Sequence, residues 1–266
     1  MTTSDDLVRT PRRIPLWALI LLGLAAGYLS GLFGVGGGII VVPTLVLMGL
    51  DQRRAAGSSI AAILPTAVIG ATSYGIAGHV DWIAGVVLAV GIILGTQLGS
   101  YLLARLPYSV LFWILIVFMA GVIVSLWVAI PNRGDTISID GPAVAGLLVV
   151  GTFTGVLSGL LGVGGGIVVV PALILLFGAG DLVAKGTSLL VMIPGSLSGT
   201  LGNVRRGNFD LRIATGVGLA ACLASPLGLL TATAITPLAS NIAFSILVCA
   251  VATQLIFKHA GSQRRT

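Results

Sequence analysis

The stretch Ser-Gly-Leu-Phe-Gly-Val-Gly-Gly-Gly-Ile-Ile-Val-Val-Pro-Thr-Leu-Val-Leu, residues 30–47, decides the fold because it occurs twice. Residues 158–175 repeat it at a constant offset of 128, with 14 of the 18 positions identical. After one inserted residue the match continues at an offset of 129. This second set pairs Gly57, Ser59, Pro65, Gly70, Gly78, Asp81 and Gly99 with Gly186, Ser188, Pro194, Gly199, Gly207, Asp210 and Gly228. The chain is therefore an internal duplication of one structural unit.

The composition around the repeat is typical of an integral membrane protein. Of the 266 residues, 56% are apolar and 8% are charged, whereas a soluble domain carries about 25% charged residues. In lipid, every backbone polar group must find its partner inside the protein. Long apolar runs favour helices, since a membrane barrel would show short alternating segments. The sequence predicts an all-α integral membrane protein.

The apolar segments divide the chain into two matching series. Two of the segments contain only 13 residues, fewer than the roughly 20 that a membrane-spanning helix needs. Each half is predicted to contain a glycine-broken helical hairpin and about three transmembrane helices, which gives eight to ten membrane segments in total. The series are 16–34, 38–50, 55–77, 82–104 and 108–130, then 142–162, 166–178, 182–204, 211–232 and 236–257.

A polar stretch at 131–141 is the predicted linker between an N-terminal repeat, 1–130, and a C-terminal repeat, 142–266. If residues 16–50 form a hairpin that starts and ends on one face, each half crosses the membrane an odd number of times. The two repeats are then inverted relative to each other. The basic residues at the segment ends collect on one side in this arrangement, which the positive-inside rule makes cytoplasmic. We therefore expect an inner-membrane protein with both termini in the cytoplasm, its hairpins either re-entrant or fully spanning.

The charge pattern and the rare reactive residues exclude several functions. The net charge of +6 comes from residues at segment ends rather than from a basic recognition face, so we expect no nucleic-acid partner. The two histidines, His79 and His259, lie in a turn and in the tail, where they cannot activate a nucleophile. Cys222 and Cys249 have no neighbour at metal-ligand spacing. We expect no enzyme activity, no metal and no cofactor; the expected partners are lipid and a small anion, with a homodimer left open.

The glycine run at the centre of each repeat is the first candidate site. Such a run is a poor helix interior, because each Gly costs nearly 1 kcal/mol relative to Ala. A helix break there would leave backbone N–H groups unpaired at the start of a short helix, where they can bind an anion. The alternative is that the glycines only permit close helix packing. The candidate residues are Gly34, Gly36, Gly37, Gly38, Gly162, Gly164, Gly165 and Gly166.

The doubled Gly-Val-Gly-Gly-Gly run, followed in each copy by Pro43 or Pro171, resembles the sulfite exporter TauE/SafE family, also called the 4-toluenesulfonate uptake permease family. A second family signature is similar to Ala-Ala-Gly-Ser-Ser at 55–59 and to Ala-Lys-Gly-Thr-Ser at 184–188. The likeness covers nearly the whole chain. It implies a carrier of sulfite, sulfonates or related organosulfur anions.

Polar residues near the start of the following helices complete the candidate site. Their hydroxyls can hydrogen-bond an oxyanion or can simply cap the helix; these residues are Ser58, Ser59, Thr187 and Ser188. Lys185 replaces Ala56 and breaks the repeat symmetry; it can attract an anion or extend to the membrane surface. Asn203, in place of Tyr74, can line a path or bond to a neighbouring helix.

The prolines and the acidic residues bear on how a carrier would move and be driven. Pro43, Pro65, Pro171 and Pro194 favour kinks that can act as hinges. The acidic residues of the apolar region, including Asp181, sit at segment ends, so no buried proton carrier is expected. The sequence predicts a secondary transporter that works by alternating access around a midplane site between the two glycine runs. An anion channel and a non-transporting membrane scaffold are the alternatives.

Overall fold

A computed structural model describes residues 14–128 and 140–263, and within these ranges the chain forms helices and no strand. The predicted linker at 131–141 lies almost entirely outside the described residues. The ten described helices are α1 (Leu16–Phe33), α2 (Gly38–Leu47), α3 (Gln52–Ile76), α4 (Trp82–Arg105), α5 (Tyr108–Val128), α6 (Gly141–Leu161), α7 (Gly166–Phe177), α8 (Asp181–Arg205), α9 (Leu211–Ala234) and α10 (Pro237–Gln263).

The helices match the apolar segments of the sequence. Seven of them in the described part are long and apolar enough to cross a membrane. Asp51, Asp81, Asp140 and Asp210 each cap the start of a long helix, where the carboxylate accepts a hydrogen bond from a backbone N–H group. The prediction of an all-α membrane protein is confirmed.

Each hairpin breaks at its glycine run, as predicted. α1 ends at Phe33 and α6 ends at Leu161. The residue after each helix, Gly34 or Gly162, adopts a left-handed conformation with φ near +70°. The short helices that follow contain 10 and 12 residues, and their lengths are therefore only about 15 and 18 Å. Neither α2 nor α7 can cross a bilayer alone.

The equivalent long helices α3 and α8 pack side by side at the centre of the protein and run in opposite directions. Close contacts join the start of α8 to the end of α3, at Gly186 and Tyr74, and the end of α8 to the start of α3, at Gly199 and Ile60. By the same type of contact, α9 runs parallel to α1 and to α3, whereas α4 runs parallel to α6 and to α8. The helix packing of one half therefore reproduces that of the other.

Glycine faces hold the parallel pairs together. A Cβ atom added at Gly91 of α4 would lie 2.5 Å from the carbonyl oxygen of Leu148 on α6, and one added at Gly151 would lie 2.5 Å from that of Leu88. Gly23, Gly27 and Gly31 bring α1 equally close to α9. Small-residue packing of this kind is typical of helices in membranes. This close packing occurs along the faces of the long helices, away from the glycine runs at which the hairpins break.

Candidate functional site

The two glycine turns, residues 34–38 and 162–166, touch each other at the centre of the protein. A Cβ atom added at Gly38 would lie 2.7 Å from the carbonyl oxygen of Gly162, and one added at Gly166 would overlap the carbonyl oxygen of Gly34. The starts of α2 and α7 are thereby brought together. The structure thus places all eight predicted glycines in one cluster.

After the first glycine of each turn, whose amide donates to the preceding helix, the glycine amides have no acceptor among the described residues. Gly36, Gly37, Gly164 and Gly165 have φ between +70° and +90°, a region that side chains disfavour. In the described part of the chain, no oxygen accepts a hydrogen bond from the amides of these four residues or of Gly38 and Gly166. Neither short helix has a side-chain cap at its start. Two positive helix ends therefore face a shared centre.

Two equivalent side chains fill that centre. Ile63 lies at the middle of α3 and Met192 at the middle of α8, an offset of 129. A Cβ atom added at Gly36 would lie 2.6 Å from the Met192 sulfur, and one added at Gly164 would lie 2.7 Å from Cδ1 of Ile63. The centre is closed in this conformation. Because Met is unbranched and flexible, Met192 can move aside more readily than a branched residue.

Three buried hydroxyl groups beside the turns have no hydrogen-bond partner among the described residues. Ser59 lies one turn before Ile63 on α3, Thr154 packs its methyl group against the Gly165 turn, and Ser30 lies one turn before Gly34. All three are fully buried. A buried hydroxyl group without a hydrogen-bond partner lowers the stability of the folded protein. Because these three groups have no such partner, they are available to hydrogen-bond a ligand. The sequence reasoning did not single out Ser30 and Thr154, although both precede a glycine turn at helical spacing.

The other hydroxyls of the second signature already have partners. Ser58 Oγ accepts a hydrogen bond from the amide of Asp210 at 3.0 Å, and Thr187 Oγ1 accepts one from the amide of Asp81 at 2.9 Å. These bonds anchor the α8–α9 and α3–α4 turns to the opposite repeat. Ser188 Oγ lies between two carbonyl oxygens, at 2.5 Å from that of Gly34 and 2.7 Å from that of Lys185.

Asn203 lies buried near the end of α8, where its amide nitrogen donates to the carbonyl of Gly199 at 2.9 Å. Its Oδ1 has no partner among the described residues. Tyr74, the equivalent residue of α3, donates from its hydroxyl to the carbonyl of Gly31 at 2.7 Å. The two positions are thus occupied by different polar groups, and the site is not symmetric there.

Lys185 is buried, with 3% of its surface exposed, and does not reach the membrane surface. Its ammonium group donates to Asp181 Oδ2 at 3.0 Å and to Ser240 Oγ of α10 at 2.9 Å. Asp181, at 2% exposure, is buried as well. Asp181 lies at a segment end, as expected, but its burial contradicts the expectation that the apolar region contains no buried carboxylate able to carry a proton. α10 covers the start of α8, and the sequence pattern of α8 alone does not predict that contact.

The ion pair borders a small cavity next to the glycine turns. The cavity has a volume of about 20 Å³, about what one water molecule needs. It is lined by Val35 of the first turn, by Ile167 directly after the second turn, and by Asp181, Lys185 and Ser240. Phe33 and Phe244 close it with ring centroids 4.7 Å apart. The cavity has a mainly apolar lining, with the ion pair and Ser240 as polar groups, and it lies beside the glycine cluster.

The four predicted hinge prolines lie inside helices that continue through them. Pro43 is in α2, Pro65 in α3, Pro171 in α7 and Pro194 in α8. Each removes one donor from its helix, which frees a carbonyl one turn earlier. Pro65 and Pro194 stand two residues after Ile63 and Met192, beside the closed centre. Their placement fits a hinge, which remains a prediction.

Comparison with known proteins gives one consistent result. A family described as Sulfite exporter TauE/SafE matches residues 3–126 and 147–266. YunE of Bacillus subtilis, named a probable membrane transporter protein, is 28% identical over 72% of this chain and 79% of its own length. A probable membrane transporter protein of Xylella fastidiosa strain 9a5c is 29% identical over 90% of this chain and 94% of its own. No solved structure matches the chain.

Proposed function

The chain belongs to the sulfite exporter TauE/SafE family of membrane transporters, and we propose that it is a secondary transporter of small anions. The substrate class is sulfite, sulfonates or related organosulfur anions. The observation that carries this proposal is the pair of uncapped helix starts at Gly38 and Gly166, which meet with their amide groups free of acceptors. Such an arrangement suits an oxyanion, because several N–H donors and two helix dipoles act on one small charge.

The chemistry of the surrounding groups supports a small oxyanion rather than a large organic ligand. Ser30, Ser59 and Thr154 add hydroxyl donors without a competing partner. Among residues 14–128 and 140–263, none places a full positive charge between the turns, so binding relies on hydrogen bonds and partial charges, and these permit release as well as capture. Of the hydroxyls predicted from the sequence, Ser59 best fits a direct contact. Ser58 and Thr187 support the site by holding the opposite turns in place.

The two repeats, 1–130 and 142–266, are inverted across the membrane in this proposal. The antiparallel course of α3 and α8 supports it, because equivalent helices point in opposite directions when the symmetry axis lies in the membrane plane. Arg53 at the start of α3, Arg105 at the end of α4 and Arg205 at the end of α8 fall on one face under these helix directions. The positive-inside rule makes that face cytoplasmic, together with both termini.

The closed centre supports transport by alternating access. Ile63 and Met192 seal the space between the turns, so an anion enters only when one half of the protein moves against the other. Pro65 and Pro194, two residues further along the same helices, are suitable hinge positions. In this proposal the closed centre corresponds to an occluded state of the carrier.

Uptake of radiolabelled sulfite by proteoliposomes of the purified protein tests this function. A carrier gives flux that saturates with sulfite concentration, and an imposed membrane potential changes its rate. A channel gives flux that does not saturate at comparable concentrations. A scaffold gives none above protein-free liposomes. Absence of sulfite flux, and of sulfonate flux in the same preparation, would contradict the proposed function.

A further inference from the structure

The buried ion pair between Asp181 and Lys185 distinguishes one side of the glycine cluster from the other. It is the one salt bridge recorded between described residues. Burial of two charges is costly unless they are paired and further hydrogen-bonded, and here Ser240 supplies an additional bond. A pair of this kind inside a membrane protein marks a functional position by default. The inference below rests on the proposed function.

The equivalent positions of the first repeat carry no charge. At the offset of 129, Gln52 corresponds to Asp181 and Ala56 to Lys185. Counted from the first residue of each final helix, Leu111 of α5 corresponds to Ser240 of α10. The first repeat therefore places an amide and two apolar side chains where the second repeat has the ion pair and its serine. The charges are present on one side only.

The cavity beside the ion pair adjoins the glycine turns. A Cβ atom added at Gly34 would lie 2.7 Å from Cα of Lys185, and Val35 of the same turn lines the cavity. The cavity is small in this conformation, with about the volume that one water molecule needs. An anion that entered this cavity would lie within reach of Lys185, which lines it.

We propose that the anion replaces Asp181 as the partner of Lys185, and that the released Asp181 carboxylate takes up a proton. The anion accepts hydrogen bonds from the Lys185 ammonium group and the Ser240 hydroxyl. Asp181 then has no counter-ion in a buried position, and protonation by water entering from this end removes the unfavourable charge. One proton binds with each anion, and the return of Asp181 to Lys185 releases both. The site couples anion transport to protons.

The surrounding titratable groups are consistent with this role for Asp181. Lys185 is its partner on α8, and Tyr74 of α3 packs against α8 at Gly186. The α3–α4 turn, with His79 and Asp81, packs against α8 at Gly186 and Thr187. α1, α7 and α10 contribute Phe33, Ile167, Ser240 and Asn241 to the cavity lining, none of which titrates.

The test measures methanesulfonate flux in proteoliposomes, because sulfite itself takes up a proton near neutral pH and a sulfonate does not. A pH gradient, acidic on the side of substrate addition, is imposed with the membrane potential clamped at zero. Wild-type protein is expected to accumulate methanesulfonate, to a tenfold excess for a gradient of one pH unit. Asp181→Asn keeps the shape and a hydrogen-bond acceptor for Lys185 but binds no proton. The methanesulfonate flux of this variant is expected to be independent of the pH gradient and to respond to an imposed membrane potential instead.

Two further variants make the result specific. Asp51→Asn changes an exposed capping carboxylate that accepts only from the Arg53 amide, and its gradient-driven accumulation is expected to equal that of wild type. The double variant Asp181→Asn with Lys185→Ala removes both charges, restores the Ala of the first repeat and is expected to raise KM at least tenfold. Size-exclusion profiles and thermal unfolding of each variant establish that it folds.

Three outcomes would overturn the coupling. The first is a wild-type methanesulfonate flux that does not depend on the pH gradient. The second is an Asp181→Asn variant that accumulates as much methanesulfonate as wild type. The third is a protein that carries sulfite but no methanesulfonate. This result would overturn the coupling for sulfonates, while the proposed function would stand. Absence of flux for both anions would instead remove the proposed function together with the coupling.

Discussion

Thr187 Oγ1 accepts a hydrogen bond from the amide of Asp81 at 2.9 Å, and this bond joins the start of α8 to the turn between α3 and α4. The repeat supplies its counterpart, from the amide of Asp210 to Ser58 Oγ at 3.0 Å. A glycine stands next to each hydroxyl residue, Gly57 before Ser58 and Gly186 before Thr187. Its lack of a side chain lets the turn of the other repeat pack closely, since a Cβ atom at either glycine would overlap a backbone carbonyl of that turn. The second family signature therefore builds a reciprocal clamp between the halves.

Thr187→Val is expected to destabilise the protein without altering its substrate. The change leaves the Asp81 amide without its acceptor, which costs about 1–3 kcal/mol for a buried donor. The measurement is thermal unfolding of purified protein in detergent, in which the midpoint temperature should fall. Ser245→Ala is the matched control, because the Ser245 hydroxyl has no partner among the described residues and its loss should leave the midpoint unchanged. Equal midpoints for Thr187→Val and wild type would contradict the clamp.

Gly91→Ala should destabilise the α4–α6 pair, since the added Cβ would lie 2.5 Å from the Leu148 carbonyl oxygen and force the two backbones apart. Overpacking of this kind costs about 1–3 kcal/mol. Gly121→Ala on α5 is the control, because a Cβ there meets open space and Ala favours a helix over Gly. The expected result is a lower unfolding midpoint for Gly91→Ala and an equal or higher one for Gly121→Ala. The reverse order would show that the α4–α6 packing is incorrect.

Gly165→Ala tests the glycine turn with less disturbance than a change at Gly37. At Gly37 the new Cβ would lie 2.6 Å from the Ala26 carbonyl oxygen, a backbone atom that cannot easily move. At Gly165 it meets side-chain atoms, Cγ2 of Thr154 at 2.8 Å and Cδ1 of Ile92 at 3.2 Å. The positive φ adds about 1–2 kcal/mol of strain. We expect a folded protein with strongly reduced sulfite flux; wild-type flux in a folded Gly165→Ala protein would exclude a role for this turn.

The sequence predicted the helices and the breaks more fully than the partners of single side chains. The glycine runs indicated a break at Gly34 and Gly162, because such runs disfavour a helix in any context. Whether Ser58 or its neighbour Ser59 has a hydrogen-bond partner depends on how Asp210, 152 residues from Ser58, packs against α3. Burial of Asp181 likewise depends on α10, which brings Ser240 within reach from 55 residues beyond Lys185. Local patterns do not encode such contacts.

The central claim, that an anion binds between the two glycine turns, is tested most directly at Ser59 and Thr154. Both hydroxyls are buried beside the turns without partners, so Ser59→Ala and Thr154→Val remove donors while they leave the protein stability equal or higher. Thr200→Ala is the control: its hydroxyl is also unpartnered, but it lies two helical turns beyond Met192 and has Ala71 as its equivalent.

The measurement is the initial rate of radiolabelled sulfite uptake into proteoliposomes, as a function of sulfite concentration, for the double variant Ser59→Ala with Thr154→Val. A hydrogen bond to a charged group contributes about 1.5–3 kcal/mol, so the loss of both predicts a decrease in kcat/KM of at least about a hundredfold. Thr200→Ala should match wild type. A double variant that folds and carries sulfite with wild-type kcat/KM would contradict an anion site between the glycine turns.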